Sequence, residues 1–379
     1  MSFQKIAKEI AGYVLGREQE IEIAMTALLA EQHYAMIGAP GTAKSLMFSC
    51  LAQHFSDARY FQVTVDRATP KDDLFGPVSV QGLKEDDLRR NTKNRLPEAH
   101  IAFIDEAFKA SSATLNALLT ILNERLFENG REGLRRVPLQ SVFVASNEYP
   151  GDDGGDSVAA LWDRFLLRSE IGYLNDQDAR SMLDIAQEYQ PNTLMTLTDL
   201  KAAINEAKCE VKLADEYKDA LIQARRILRE DHGVTISDRR LRQSVRLLTA
   251  KARLEGRSEV IADDLMILQH SLWNDRDERS AIAAVLMRCV DPCLVEINEL
   301  IEETETHRTV LTHKESTRLE MDEAFAKLDA VSKKITKLKN MANTDIARAT
   351  ATRAIEKIND LTRSRFAEVF GGDLDFSIR

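Results

Sequence analysis

Apolar residues recur at helical spacing from the start of the chain. Ile6, Ile10 and Val14 stand four apart, and Ile21, Met25, Leu28 and Leu29 form a second stripe. The pattern predicts two amphipathic helices over 2–30, broken at Gly12–Gly16. Short apolar runs of strand type then appear at Tyr34–Ile37, Tyr60–Val65, Ile101–Ile104 and Ser141–Ala145. Between the last two, SSATLNALLTILNERLF reads as a helix capped by Ser111, with Leu115, Leu118, Leu119, Leu122 and Leu126 on one face. Glu128–Pro138 has hairpin chemistry, with Gly130 and Gly133 at the turn and Arg131, Arg135 and Arg136 exposed. From residue 173 the strand pattern stops. Leu241, Val245, Leu248 and Ala252 make one helical stripe, with Arg239, Arg242 and Arg246 on an adjoining face. Met321, Phe325, Leu328, Val331, Ile335 and Leu338 follow a 4-3-3-4-3 spacing, as in a helical hairpin or coiled coil. Thr344-Asp345 caps a second helix bearing Ile355, Ile358, Leu361 and Phe366, which Gly371-Gly372 would end. Three regions follow: an α/β core over 1–172, a helical domain over 173–275 and a helical appendage over 276–379.

Two stretches carry chemistry. The run Gly38-Ala39-Pro40-Gly41-Thr42-Ala43-Lys44-Ser45, continued by Leu46, joins a strand to a helix. That is the setting of a phosphate-binding loop. Its glycines let successive amide N–H groups face one concavity, and the helix N-terminus adds positive potential. Lys44 would reach the β- and γ-phosphates, and the Ser45 hydroxyl would ligate Mg2+. Ala43 stands where the pattern G-x-x-x-x-G-K-[ST] has glycine; its methyl group fits if the residue is already helical. The second stretch is Ile101–Glu106, an apolar strand ending in two carboxylates. At the C-terminal edge of a parallel sheet these acids come beside the phosphate loop. Asp105 would then hold the Mg2+ and Glu106 would polarise the attacking water. Asn147 ends the next strand, where an amide either orients the γ-phosphate or water, or simply makes a turn. The break at Val14–Gln19 either borders a bound adenine or is a helix–helix turn.

Composition narrows the setting. The chain has 379 residues, 44% hydrophobic and 30% charged, enough apolar material for two or three domains. A net charge of −10 disfavours nucleic acid and anionic membranes as partners of the bulk surface, while leaving room for a local basic groove. Four scattered cysteines suit a reducing compartment, and Cys289 and Cys293 read as thiols rather than as half a zinc site. With no membrane-span pattern and no signal-peptide core, the expected location is cytoplasmic. Asp152–Asp156 is an acidic, glycine-rich stretch that fits a solvated loop better than a cation site.

The ordered set GAPGTAKS, FIDEAFKAS, LLTILNER, VASNE and LWDRFLLR, spread over about residues 10–275, resembles the MoxR group of AAA+ ATPases, and within it the RavA-like branch. The resemblance implies a five-stranded parallel sheet flanked by helices, an all-α lid, and a ring, usually a hexamer, with ATP between neighbouring subunits. It makes Asn147 the γ-phosphate sensor and Arg164 the arginine finger reaching the next subunit, with Arg168 as the alternative. Otherwise Arg164 makes an ion pair within its own chain. Arg239 would stand over the phosphates from the lid as a second sensor, or else belong to a solvated basic face. The stretches 75–90 and 128–138 are similar to two hairpin insertions that deliver motion to a partner. The implied activity is ATP hydrolysis coupled to remodelling of a protein client, with a von Willebrand A domain protein as partner. A nucleic-acid-stimulated motor, with Arg131, Arg135 and Arg136 lining a pore, is the alternative.

Overall fold

The computed structural model describes residues 2–150, 155–185, 188–312 and 318–370. The acidic loop expected at Asp152–Asp156 and the glycine stop at Gly371-Gly372 lie largely or wholly outside these residues. Contacts divide the chain into two units. The first comprises Met1–Leu213, Ile236–Val260 and Ile267–Arg276, and the second Ala214–Thr235, Ile261–Met266 and Asp277–Arg379.

The first unit is built on a parallel sheet. Its strands are β1 (Tyr34–Gly38), β2 (Tyr60–Thr64), β3 (Ile101–Asp105), β6 (Ser141–Ser146) and β7 (Leu167–Ile171), in the order β2-β3-β6-β1-β7. Every residue of β1 and β6 is buried, as expected where helices cover both faces of a parallel sheet. Phe48, on the helix Lys44–Gln53, stacks on Phe143 at 4.6 Å and meets Phe103 at 5.1 Å. Each fully buried aromatic contributes about 2–3 kcal/mol, so this cluster pins the helix after the phosphate loop to the sheet. The register then sets the chemistry. Asp105 lies level with Ala145, Ile37 with Ser146 and Gly38 with Ile171. The C-terminal ends of β1, β3 and β6 therefore open at one edge.

Several expectations need correction. The helix after Ser111 runs Ser112–Glu124, because Arg125 turns left-handed (φ 57) and Leu126 begins β4 (Leu126–Glu128). Paired antiparallel with β5 (Leu134–Arg136), β4 makes the predicted hairpin. The 75–90 insertion is not a hairpin. It carries a short helix, Val80–Lys84, and a single bridge between Val78 and Arg90. Asn129, Gly130 and Arg131 of the hairpin turn pack on Asp87, Arg89 and Arg90 of this insertion. On helix Asp238–Leu254 the predicted stripe holds at Leu248 and Ala252, which are fully buried, but fails at one position. Val245 is exposed, whereas Arg240, Ser244 and Leu247 are buried.

Among the described residues the regular elements of the second unit are all helices. Helices Asp215–His232 and Glu278–Val290 pack together, and three long helices, Pro292–Thr312, Arg318–Met341 and Asp345–Phe370, pack pairwise. The centre of their shared core is Ile297, Leu328, Ile335, Ala347 and Ala351, all fully buried. Asp291 is buried at its end and accepts from the backbone of Asn343 and Thr344 and from the Thr344 hydroxyl at 2.8–2.9 Å. Among the described residues no helix is long and apolar enough to cross a membrane.

Candidate active site

Three strand ends converge on one group of side chains. Lys44 Nζ donates to the carbonyls of Gly38 and Ala39 and, at 2.9 Å, to Asn147 Oδ1. Asn147 Nδ2 donates in turn to Glu106, which also accepts from Ser146 Oγ at 3.4 Å and pairs with Lys109 at 3.3 Å. One amide thus links the lysine of the loop to the carboxylate that follows β3. Asp105 precedes Glu106 and is half-buried. Burial, and then the neighbouring Glu106 charge, push its carboxyl above the ordinary range, and Lys44 offsets part of this. Burial lowers the Lys44 ammonium, with Asp105 and Glu106 opposing. For both groups desolvation outweighs mutual attraction, so each lacks part of the charge compensation that solvent would supply.

The backbone of the loop has particular requirements. A Cβ at Gly38 would stand 2.5 Å from the Ile171 carbonyl, so this glycine allows β1 and β7 to close together. Gly41 has φ +79 and open space where a Cβ would point, leaving the concavity clear. Ala43 is not helical, contrary to the condition set above. It is left-handed (φ 65, ψ 22), at the N-cap of the helix Lys44–Gln53, which is why the pattern prefers glycine there.

Beside the loop lies a cavity of about 430 Å3. Tyr13, Val14 and Leu15 from the break after the first helix form one wall, Thr42 and Leu46 another, and Tyr173 and Met182 a third. It is mostly apolar and of a size suited to a nucleobase. The break at Val14–Gln19 thus borders the phosphate loop and does not merely join two helices. Tyr13 and Tyr173 went unnoticed in the sequence because isolated tyrosines near an element end carry no periodic signal.

The cationic candidates stand elsewhere. Arg168 is fully buried. It donates to the carbonyls of Phe165, Trp162 and Trp273, and its guanidinium lies 4.4 Å from the Trp162 ring centroid. It is a structural bracket of the first unit and offers nothing to a neighbour, so it is withdrawn as the alternative finger. Arg164 lies at the N-terminal edge of β7, with Asp163 at 3.5 Å and with buried Nε and Nη1 atoms that find no hydrogen-bond partner. Arg239 shares a cavity with Arg164, His33 and Gln140. His33 and Gln140 immediately precede β1 and β6, so this cavity is at the sheet edge opposite the phosphate loop. A five-residue strand spans roughly 16 Å, which is too far for Arg239 to overhang the phosphate loop of its own chain. The helix is fixed there by Arg240, which bonds Asp163 at 2.9 Å and Asn274 at 2.7 Å. Arg240 was missed in the sequence, because the stripe read on this helix was Leu241, Val245, Leu248 and Ala252 and an arginine carries no signal of an inward position.

Comparisons with known proteins agree with this geometry. Residues 1–208 match the family model described as the MoxR domain of MoxR–vWA–β-propeller ternary systems, and residues 216–286 match an AAA lid domain. The chain belongs to the MoxR family of AAA+ ATPases. An uncharacterized protein of Methanocaldococcus jannaschii is 42% identical over 73% of this chain and 72% of its own length. The chaperone MoxR1 of Mycobacterium tuberculosis is 27% identical over 46% of this chain and 45% of its own. A crystal structure of a proposed ATPase from Cytophaga hutchinsonii superposes with a TM-score of 0.62 at 17% identity, covering 75% of this chain and 93% of that one. These matches fix the MoxR family and the nucleotide-binding fold, and do not single out the RavA-like branch.

Proposed function

We propose that this MoxR-family chain hydrolyses ATP with Mg2+ in a ring and uses the resulting motion to remodel a protein partner. What supports the hydrolytic part is the convergence of Lys44, Glu106 and Asn147, three groups from three strand ends joined in one hydrogen-bonded chain. The residues suit the ligand. The clear concavity at Gly41 and the amides before Lys44 would cradle phosphate oxygens, and Lys44 would exchange its carbonyl partners for them. Ser45 and Asp105 would hold Mg2+, an ion bound through one or two protein oxygens together with substrate phosphates. When bound, it supplies charge neutralisation on the transferring phosphoryl group. Asn147 would leave Glu106 for the γ-phosphate, freeing that carboxylate to take a proton from the attacking water.

Arg164 and Arg239 complete the site in a second copy. They stand together at the edge opposite the phosphate loop, so they meet a loop only in a head-to-tail contact between protomers. Such a contact closes into a ring when the rotation allows, and a hexamer is the expected size for this family. There Arg164 would neutralise charge on the neighbour's leaving phosphoryl oxygens, and Arg239 would reach the same phosphates. The partner is assigned to the von Willebrand A class, from the systems that the matched domain model describes. Nucleic acid is disfavoured as the load. Of the three hairpin arginines, Arg135 bonds Thr92 and Arg136 faces the cavity of Arg164.

Glu106→Gln tests the chemistry. The variant should bind ATP as the wild type does while turnover falls by about 10²–10⁴-fold. Unchanged turnover at full occupancy would remove Glu106 from the reaction.

A further inference from the structure

The cavity at the N-terminal sheet edge has a volume of about 670 Å3. Besides Arg164 and Arg239 it is lined by Arg136, Arg246, Lys201 and Arg125. Its one acid, Glu31, is paired with Lys208, and Arg125 is spent on His33 and on the carbonyls of Glu31 and Gln140. The guanidinium groups of Arg136, Arg239 and Arg246 have no hydrogen-bond or ion-pair partner among the described residues. Cations left together in this way in a chain of net charge −10 favour a compact polyanion.

Arg136 differs from the others in what carries it. It ends β5, and side chains alternate along a strand. Arg135 therefore takes the other face, where it bonds Thr92 at 2.6 Å, while its cross-strand neighbour Phe127 stacks on Phe75 at 5.7 Å. The hairpin turn is tied to the insertion as well, Arg131 N donating to Asp87 at 2.8 Å and Asn129 Oδ1 accepting from Arg90 N at 2.7 Å. Hairpin and insertion are thus one block. Its exposed apolar residues are Val80, Leu83, Leu88 and Leu134. Arg136 is the residue of this block that enters the cavity of Arg164.

The geometry points to Arg136 as a further contact to the neighbouring subunit's triphosphate, so that the β4–β5 hairpin senses whether that neighbouring site is filled. The inference rests on the ring proposed above. It adds a residue that neither the phosphate loop nor the sensor strands contain, and it gives the partner-facing block a direct connection to nucleotide. The ligand class is a nucleoside triphosphate held by a second copy of this chain.

Steady-state ATP hydrolysis by the full chain, with hydrogen exchange of residues 126–136, tests this. Arg136→Gln should raise the KM for ATP by about tenfold, the loss of one charge-assisted hydrogen bond. It should also abolish the protection that nucleotide confers on the hairpin, and Arg136→Lys should restore part of both. Wild-type KM and wild-type hairpin protection in Arg136→Gln would overturn the inference. If Arg164→Ala is inactive in the same experiment, the ring mechanism survives that failure; absence of hydrolysis by the wild type would end both. Loss of stimulation by single-stranded DNA in Arg136→Gln, with ATP kinetics unchanged, would also overturn it and assign the cavity to nucleic acid.

Discussion

Two residues at the site occupy the left-handed region without being glycine: Ala43 (φ 65) and Glu106 (φ 57). Glu106 is held there by its N–H, which donates to Ala145 O at 2.8 Å and Asp105 Oδ1 at 3.1 Å. Strain of this kind collects at functional positions. At Ala43 the strained conformation costs about 1–2 kcal/mol, while glycine would cost about 0.4–1 kcal/mol through the unfolded chain. Ala43→Gly should therefore stabilise the protein by about 0.5–1 kcal/mol, read as a rise in the denaturant midpoint; a fall would show that the alanine is unstrained. Asp105 gives the pH counterpart. Its folded pKa lies above the ordinary carboxyl value, so the stability linked to its protonation is present below that value and lost as pH rises through the folded pKa. Asp105→Asn should accordingly melt at a higher temperature than the wild type at neutral pH without nucleotide, and the difference should vanish near about pH 3–4. Equal melting temperatures at every pH would contradict the shift. The roles of Lys44, Asp105 and Glu106 were suggested by spacing. The conformation of Ala43 was not, because whether a loop residue is left-handed depends on how the following helix is seated.

At the scale of elements, strands and helices with strong periodicity were legible. The buried strands could be read because parallel strands covered on both faces are continuous apolar runs. What failed was pattern shared between two uses. Leu126 keeps helical phase with Leu122, yet Arg125 breaks the helix, because its guanidinium bonds the carbonyls of Glu31 and Gln140 across the unit. Val245 likewise keeps phase but faces outward, because Arg240 takes the inward position to reach Asp163 and Asn274. In both places a long-range bond from an arginine outweighs local periodicity. A buried polar clasp also orders the second unit. Removing the Asp291 carboxylate leaves the Asn343 and Thr344 amides and the Thr344 hydroxyl without their acceptor. Asp291→Ala should cost about 3 kcal/mol, on the order of a hundredfold more local opening in hydrogen exchange over helices Pro292–Thr312 and Asp345–Phe370. Unchanged exchange would mean that apolar packing alone orders these helices.

For the whole molecule, the decisive fact is that phosphate loop and cationic cavity lie on opposite edges of one sheet. On the proposed reading a single chain holds half of each site. The acids and the lysine stand at one edge, and Arg164 and Arg239 at the other. The resemblance implied that Arg164 reaches a neighbouring subunit, but which sheet edge Arg164 and Arg239 occupy became visible only with the strand directions of the fold. Head-to-tail association would join the halves. Mixing two inactive variants tests this directly. Glu106→Gln and Arg164→Ala are each expected to lack turnover. Mixed in equal amounts, random assembly pairs an intact phosphate-loop edge with an intact Arg164 at roughly a quarter of interfaces, so hydrolysis should return to about that fraction of the wild-type rate. A mixture as inactive as its components, under conditions where both bind ATP and exchange subunits, would contradict a site shared between protomers.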